Sequence, residues 1–300
     1  MSKGGDVGVL RDVSRSFYLS LRVLPAPMRA PVSVAYLLAR SSDTLADTAE
    51  AAAEARLAWL DGFVAEVKGE GSDWRSGIRG FVETQTHPGE KALMSRLDDV
   101  FAAYASLAPA ERHLVRGVFE IITSGQRLDV ERFEVGSGRL TKEAELEDYC
   151  HRVAGCVGVF WTRIGFETLG NRFSKSAPEE LGEIGERFGR GLQLVNILRD
   201  LPKDLRNGRC YLPVEDPTDR TTVLAEAARW RAVARERMRD GLDYARSMAG
   251  RRLTMSVALP ALIGVRTLDL LDAADWETLE RGVKVSRAEI RRCLWRAAWI

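Results

Sequence analysis

Cysteine is scarce in this 300-residue chain: Cys150, Cys156, Cys210 and Cys293 are the four, and no two are spaced Cys-x-x-Cys. That spacing pattern excludes a dithiol redox motif and a zinc site, and predicts reduced, mostly buried thiols. Neither sign of charge is in excess, since 44 basic and 43 acidic residues leave a formal net charge of +1. Nucleic acid is therefore not an expected partner, and any anionic ligand must be caught by a local site rather than a global field. No apolar run approaches the ~18 residues that a membrane span needs. The opening MSKGGDVGVL lacks the apolar core of a signal peptide. A soluble, cytoplasmic chain is expected, with any membrane association peripheral. Strand alternation, an internal repeat and a G-x-G-x-x-G fingerprint are all missing, so no separate dinucleotide-binding domain is expected.

What the chain has is apolar content, 45%, arranged with helical periodicity. Helices are predicted over residues 28–60, 90–129, 141–170, 178–200, 221–248 and 253–272. Loops are predicted over 67–80, where Gly and Ser gather, and over 134–140 and 207–220. Ser176 with Glu179, around Pro178, has the form of a capping box, and Leu181, Ile184, Phe188, Leu192 and Val195 continue as an apolar stripe. Ser286 with Glu289 opens a last helix in the same way. Lys284 and Arg287 read first as the solvated start of that helix, and Trp295, Trp299 and Ile300 of LWRAAWI as packing on the core. One all-α domain over residues 1–300 is the expectation.

Two acidic pairs interrupt this ordinary pattern. In ARSSDTLADT, Asp43 and Asp47 are four apart, one turn apart on a helix, with Arg40 three before the first. In QLVNILRDLPKDLRNGR, Gln193, Asn196, Asp200 and Asp204 follow at three, four and four, with Arg199 beside the first aspartate. A single acidic pair is usually a solvated face. Two pairs, four carboxylates and an amide suit a hard cation bound through oxygen, and Mg²⁺ with a diphosphate fits better than a closed Ca²⁺ cage. Pro202 stands between Asp200 and Asp204. Lacking an N–H, it is predicted to free the Leu198 carbonyl and to kink or end the helix near residue 201, leaving Asp204 on a distorted turn.

These motifs, with SRSFYLSLRVLP at 14–25, DYCHRVAGCVG at 148–158 and RCYLP at 209–213, resemble the trans-head-to-head prenyl synthases, the family of squalene, phytoene and dehydrosqualene synthases. The resemblance covers about residues 10–295. It implies an all-α isoprenoid-synthase helical bundle around a central cavity. It also implies two allylic diphosphates, farnesyl diphosphate first among them, joined head to head with Mg²⁺ through a cyclopropyl diphosphate. Asp43, Asp47, Asn196, Asp200 and Asp204 are implied metal ligands, and Arg40, Arg199, Tyr36 and Tyr149 catalytic groups. Ser14, Ser16, Phe17, Val153, Val157, Leu192 and Gln193 are implied to bind substrate.

Within that family DTLAD and YCHRVAG lean towards the squalene branch, and RCYLP towards the phytoene and bacterial branch. The leading expectation is a squalene synthase-type reaction through presqualene diphosphate, with NADPH as reductant. The alternatives are an enzyme that stops at presqualene diphosphate, a phytoene or dehydrosqualene synthase, and, in another class, a non-catalytic helical assembly subunit. Aligning Pro260 with the proline of a late family helix puts Ser256 where squalene synthases carry phenylalanine, which weakens the case for NADPH. Without a dinucleotide-binding domain, any nicotinamide would share the prenyl cavity. Peripheral membrane contact is an expected route for product release, and the sequence leaves the oligomeric state open.

Overall fold

The computed structural model describes residues 24–48, 51–71, 73–135 and 138–300. Ser14, Ser16 and Phe17 lie outside the described residues. Among those described the structure is all-α: no strand forms, and extended pairing is limited to two isolated bridges, Arg139 with Cys210 and Ser174 with Met248. By packing, the chain divides into two compact units, Met1–Glu131 with Glu167–Leu169, and Arg132–Phe166 with Gly170–Ile300.

The first unit holds α1 (Ala26–Ala46), α2 (Ala53–Lys68), α3 (Trp74–Thr84), α4 (Pro88–Met94), α5 (Leu97–Ala105) and α6 (Pro109–Asp129). The helix expected over 28–60 is thus two helices, and that over 90–129 is three. Gly69, at φ +85, turns left-handed to end α2, and Pro109 opens α6 at a position that needs no N–H. The loop expected over 67–80 is much shorter, because buried Trp74, Ile78 and Phe81 recur at helical spacing and hold α3 on the core. Phe63 is the centre of that core, with ring centroids of Trp74, Phe101 and Phe119 at 5.1, 5.3 and 5.1 Å. Arg56, 4% exposed, donates from Nη1 to the Ala46 carbonyl at 2.8 Å and so anchors the C-terminal end of α1.

The second unit holds α7 (Glu143–Cys150), a π-helical turn (His151–Gly155), α8 (Cys156–Leu169), α9 (Pro178–Arg206), α10 (Arg220–Arg246), α11 (Arg251–Asp272), α12 (Trp276–Arg281) and α13 (Arg287–Ala297). Its axis is α9, packed by α10, α11, α7 and the π-helical turn. Close approach here depends on glycine. A Cβ at Gly158 would lie 1.9 Å from the Gly185 carbonyl oxygen, and one at Gly189 would lie 2.3 Å from that of Ala154. By length and composition α11 is apolar enough to cross a membrane, more than the sequence reading allowed, but it packs against α9, α10 and α13 as a core helix does.

Three local expectations are corrected. Ser176 does not cap α9: Ala177 holds that position, and the Ser176 N–H donates to Ser174 Oγ at 3.1 Å. Pro202 does not end α9, which runs on as α-helix to Arg206, so Asp204 is a helical residue. One missing N–H removes one bond, and Pro202 is buried among its neighbours, which compensates in packing. The helix ends instead at Gly208, φ +73, where the Arg209 and Gly208 N–H groups donate to the Asp204 and Leu205 carbonyls at 2.8 and 3.1 Å. Finally, Trp295 and Trp299 do not pack on the core. Cys293 and Ala297 take the inward positions of α13, and residues two further on turn outward. The Ser286–Glu289 capping box forms as expected.

Gly158→Ala should cost at least about 1–3 kcal/mol in urea unfolding, because backbone must move to admit the methyl. Gly80→Ala, on α3 with nothing within 4 Å, should be neutral or stabilise by up to ~1 kcal/mol; equal effects would overturn this account of the helix crossing. Glu145 accepts from the Thr141 and Lys142 N–H groups at 2.7 and 3.2 Å and from Arg132 at 2.8 Å. The Thr141 backbone bond is foremost in holding its carboxyl down at about 2, below its ordinary 4.5. The stability this contributes is complete above pH 4.5 and is lost as pH falls towards 2. The acid limb of the melting temperature should therefore be shallower in Glu145→Gln than in the parent.

Candidate active site

The first acidic pair sits at the C-terminal end of α1. Asp43 lies in the last turn, and Asp47 is the capping residue, its N–H donating to the Asp43 carbonyl at 2.9 Å. This is the negative end of the helix dipole, and no basic residue occupies the last turn. Arg40 donates to Asp43 Oδ2 at 2.5 Å and to Glu90 Oε1, on α4, also at 2.5 Å. Arg40, Asp43, Thr44, Asp47, Gln85 and Glu90 line a hollow of about 210 Å³. Burial, and then the charge of Asp47, push the Asp43 carboxyl up to about 6 despite Arg40. Tyr36 lies seven residues earlier on α1, partly buried.

The second pair is carried by α9. Asn196 is exposed and donates to Gln193 Oε1 at 3.4 Å. Arg199 grips Asp200 in a fork, Nε to Oδ1 at 2.9 Å and Nη2 to Oδ2 at 2.6 Å. Asp204, one turn on, is pushed up to about 6 by burial and by Asp200, against the opposing charges of Arg209, Lys203 and Arg199. On α9 the arginine-bonded carboxylate, Asp200, and the carboxyl that holds its proton firmly, Asp204, are different residues, whereas on α1 Asp43 is both.

Earlier on α9 the character reverses. Gly185, Phe188, Gly189 and Leu192 form one wall of an apolar cavity of about 250 Å³, closed by Ala154, Val157, Gly158 and Trp161, and by Tyr244, Ser256, Val257 and Pro260 from α10 and α11. Of the residues the sequence reading named for substrate, Val157 and Leu192 line this cavity, as does Ala154, and Val153 is not among the lining. Tyr149 is 4% exposed, its ring 4.9 Å from that of Tyr211, which lies 4.5 Å from Phe133. The four cysteines are buried and unpaired, and burial pushes Cys156 up to about 12.

Sequence reasoning did not single out Glu90, Arg209, Trp161 or Tyr244. Glu90 reaches Arg40 through the packing of α4, which no local pattern signals. It also missed a chain of ion pairs in which Glu147 binds Arg190 and Arg237, at 3.2 and 2.5 Å, and Glu186 binds Arg190 and His151, at 2.5 and 2.8 Å. In this chain α9 is tied to α7, α10 and the π-helical turn.

The squalene/phytoene synthase family model matches residues 10–289. A presqualene diphosphate synthase of Rhodopseudomonas palustris is 32% identical over 221 residues, 71% of this chain and 66% of that protein. A squalene synthase of Gibberella zeae is 25% identical over 296 residues, 93% of this chain and 61% of that protein. The chain therefore spans less than two thirds of either relative. The solved complex of TcSQS with the ligand BPH1237 shares the fold at TM-score 0.79 and 22% identity, covering 98% of this chain and 85% of that one.

The raised carboxyls at Asp43 and Asp204 fix the sign of a stability effect. A folded pKa of about 6, above the ordinary 3.8, means the fold favours the protonated acid. That contribution is complete below pH 3.8 and is lost as pH rises through 6. In metal-free buffer Asp43→Asn should therefore melt above the parent at pH 7.5, by about 1–2 kcal/mol after allowing for partial solvent exposure, and show no gain at pH 4. A gain that is equal at both values would overturn the assignment.

Proposed function

The chain belongs to the squalene/phytoene synthase family, and from that premise we propose that it is a Mg²⁺-dependent prenyltransferase that condenses two farnesyl diphosphates head to head. The observation that carries this reading is the change of character along α9. Leu192 and the residues before it wall an apolar cavity, and Gln193, Asn196, Asp200 and Asp204 follow on the same helix. From Leu192 to Asp200 is eight residues, roughly 12 Å of helix. A prenyl diphosphate is an amphiphile with that same division, a long apolar tail and an anionic head.

The donor set at both pairs fits Mg²⁺. Every side-chain donor at the two pairs is oxygen, although among the described residues no three His, Cys, Asp or Glu side chains are grouped so as to hold a metal ion by themselves. Two carboxylates with coordination left open for water and phosphate are what Mg²⁺ usually takes. On α1, Asp43 and Asp47 would bind such an ion, and on α9, Asp200 and Asp204 with Asn196 would do so. When bound, the ion supplies positive charge to the departing diphosphate. The protein supplies the rest. Arg40 and Arg199 present forked donors that can turn from Asp43 and Asp200 towards phosphate oxygens. Protonated Asp43 and Asp204 must lose their protons to bind a cation, so metal affinity should fall as pH drops through about 6. The cavity wall keeps water from an allylic cation formed beside it, and Tyr244 and Ser256 supply the hydroxyls among its lining. Their oxygens are engaged, Tyr244 with Thr162 at 2.7 Å and Ser256 with the Leu253 carbonyl at 2.7 Å.

The reaction begins at two farnesyl diphosphates, reaches presqualene diphosphate, and is carried on to squalene with NADPH in the longer reading. A second reading, in which it stops at presqualene diphosphate, is favoured by the cavity itself. Ser256 and Pro260 both line it, so the position where squalene synthases are expected to carry phenylalanine bears a small hydroxyl. Among the described residues that line it, no charged side chain is present to meet a dinucleotide's phosphates.

Purified protein incubated with farnesyl diphosphate and Mg²⁺, with and without NADPH, tests these readings by product analysis. Squalene formed only with NADPH supports the longer reaction, and presqualene diphosphate under both conditions supports the shorter one. Asp43→Asn and Asp200→Asn should each lower kcat by roughly a hundredfold or more. Absence of Mg²⁺-dependent diphosphate release from any prenyl diphosphate would reject the enzymatic reading in favour of a helical assembly subunit.

A further inference from the structure

We propose that the outer face of α13 is a docking surface for an anionic lipid bilayer. Its inward positions are Cys293 and Ala297, both buried. Its outward side carries Trp295 and Trp299, 68% and 73% exposed, with ring centroids 6.0 Å apart, beside Leu294 at 45%. Folding normally removes such area from water, and neighbouring exposed tryptophans form an apolar patch rather than scattered surface residues. Arg287, Arg291, Arg292 and Arg296 surround the patch and are exposed. Glu289, the acid on this helix, is already engaged by the Ser286 cap and by Arg266 at 2.6 Å. The patch is therefore apolar at its centre and cationic around it, in a chain whose formal net charge is only +1.

That combination selects the occupant. Tryptophan prefers the boundary between headgroups and acyl chains, where its ring is buried and its N–H stays wet. Arginine adds attraction to anionic headgroups of about 1 kcal/mol per residue near the surface. A helix with tryptophan and leucine beside arginine lies in the plane of such an interface. A second copy of the chain fits poorly, because a two-fold contact sets the same patch against itself and would oppose four arginines to four arginines. The assignment does not depend on the proposed reaction.

The test is flotation of the 300-residue chain with vesicles of phosphatidylcholine alone and of phosphatidylcholine mixed with phosphatidylglycerol. At about 0.1 M salt the protein should float with the anionic vesicles and much less with neutral ones, and about 1 M salt should weaken the binding. Trp295→Ala with Trp299→Ala should cut the bound fraction about tenfold, as should Arg291→Gln with Arg292→Gln. Both pairs are exposed, so melting temperatures should match the parent, which separates lost docking from lost folding. Failure of the parent to float with anionic vesicles, or undiminished flotation of the tryptophan double variant, would overturn the proposal. So would a dimer in sedimentation velocity that the tryptophan double variant dissolves, since the face would then belong to a second copy.

Discussion

Negative charge at the C-terminal end of a helix opposes the helix dipole, and this chain places it there twice. On α1, Asp43 and Asp47 close the helix with no basic residue in the last turn, and on α9, Asp204 sits in the final turn behind Asp200. Burial adds to the cost at Asp43 and Asp204, which is why both hold a proton up to about 6. A fold selected for stability alone would place lysine at these positions. The neighbouring cations offset only part of the repulsion: Arg40 divides itself between Asp43 and Glu90, Arg199 is committed to Asp200, and Arg209 and Lys203 still leave Asp204 raised. What remains at each pair is acidic charge that the chain does not balance by itself, which is the kind of site the proposed Mg²⁺ would neutralise.

Around these ends the fold invests in fixing helix positions. Buried Arg56 holds the last carbonyl of α1, and the Gly208 turn closes α9 about two turns past Asp200. In the second unit the glycine contacts at Gly158 and Gly189 bring backbones together, so the cavity beside them is bounded by chain that cannot move apart without losing packing. The chain of ion pairs through Glu147, Arg190 and Glu186 adds a polar tie on another side of α9. Cavity shape is then decided by side chains such as Trp161, Phe188 and Leu192 on a scaffold of fixed spacing.

Much of this is legible in the sequence, because the signals are local. Helical periodicity locates α9 to α11, the Ser286–Glu289 pair marks the start of α13, and the aspartate spacings place Asp200 with Asp204 on one helix and Asp43 on another that Asp47 caps. The failures have physical causes. Periodicity does not count helices, so 90–129 reads as one element although Pro109 divides it. Pro202 suggests a helix end that does not occur, because a proline removes one hydrogen bond, whereas the left-handed Gly208 six residues later redirects the chain. Glu90, Tyr244 and the cavity wall depend on contacts between distant segments, which no window of sequence contains.

The orientation of α13 carries the same lesson to the surface. The expectation that LWRAAWI packs inward follows from residue type, since tryptophan and leucine are usually core residues. Orientation is set instead by phase. Ser286 fixes where the helix begins, Val283 and Val285 are buried just before it, and from that start the inward positions fall on Cys293 and Ala297. The small residues are thus the ones that meet α11, which allows close packing, and the large ones are left outside. Reversing the pattern by sequence change would require only a shift of two positions, so nothing in helix geometry forces tryptophan outward. The arginines share the outward side with the tryptophans, which is the arrangement an anionic interface rewards and a protein core does not.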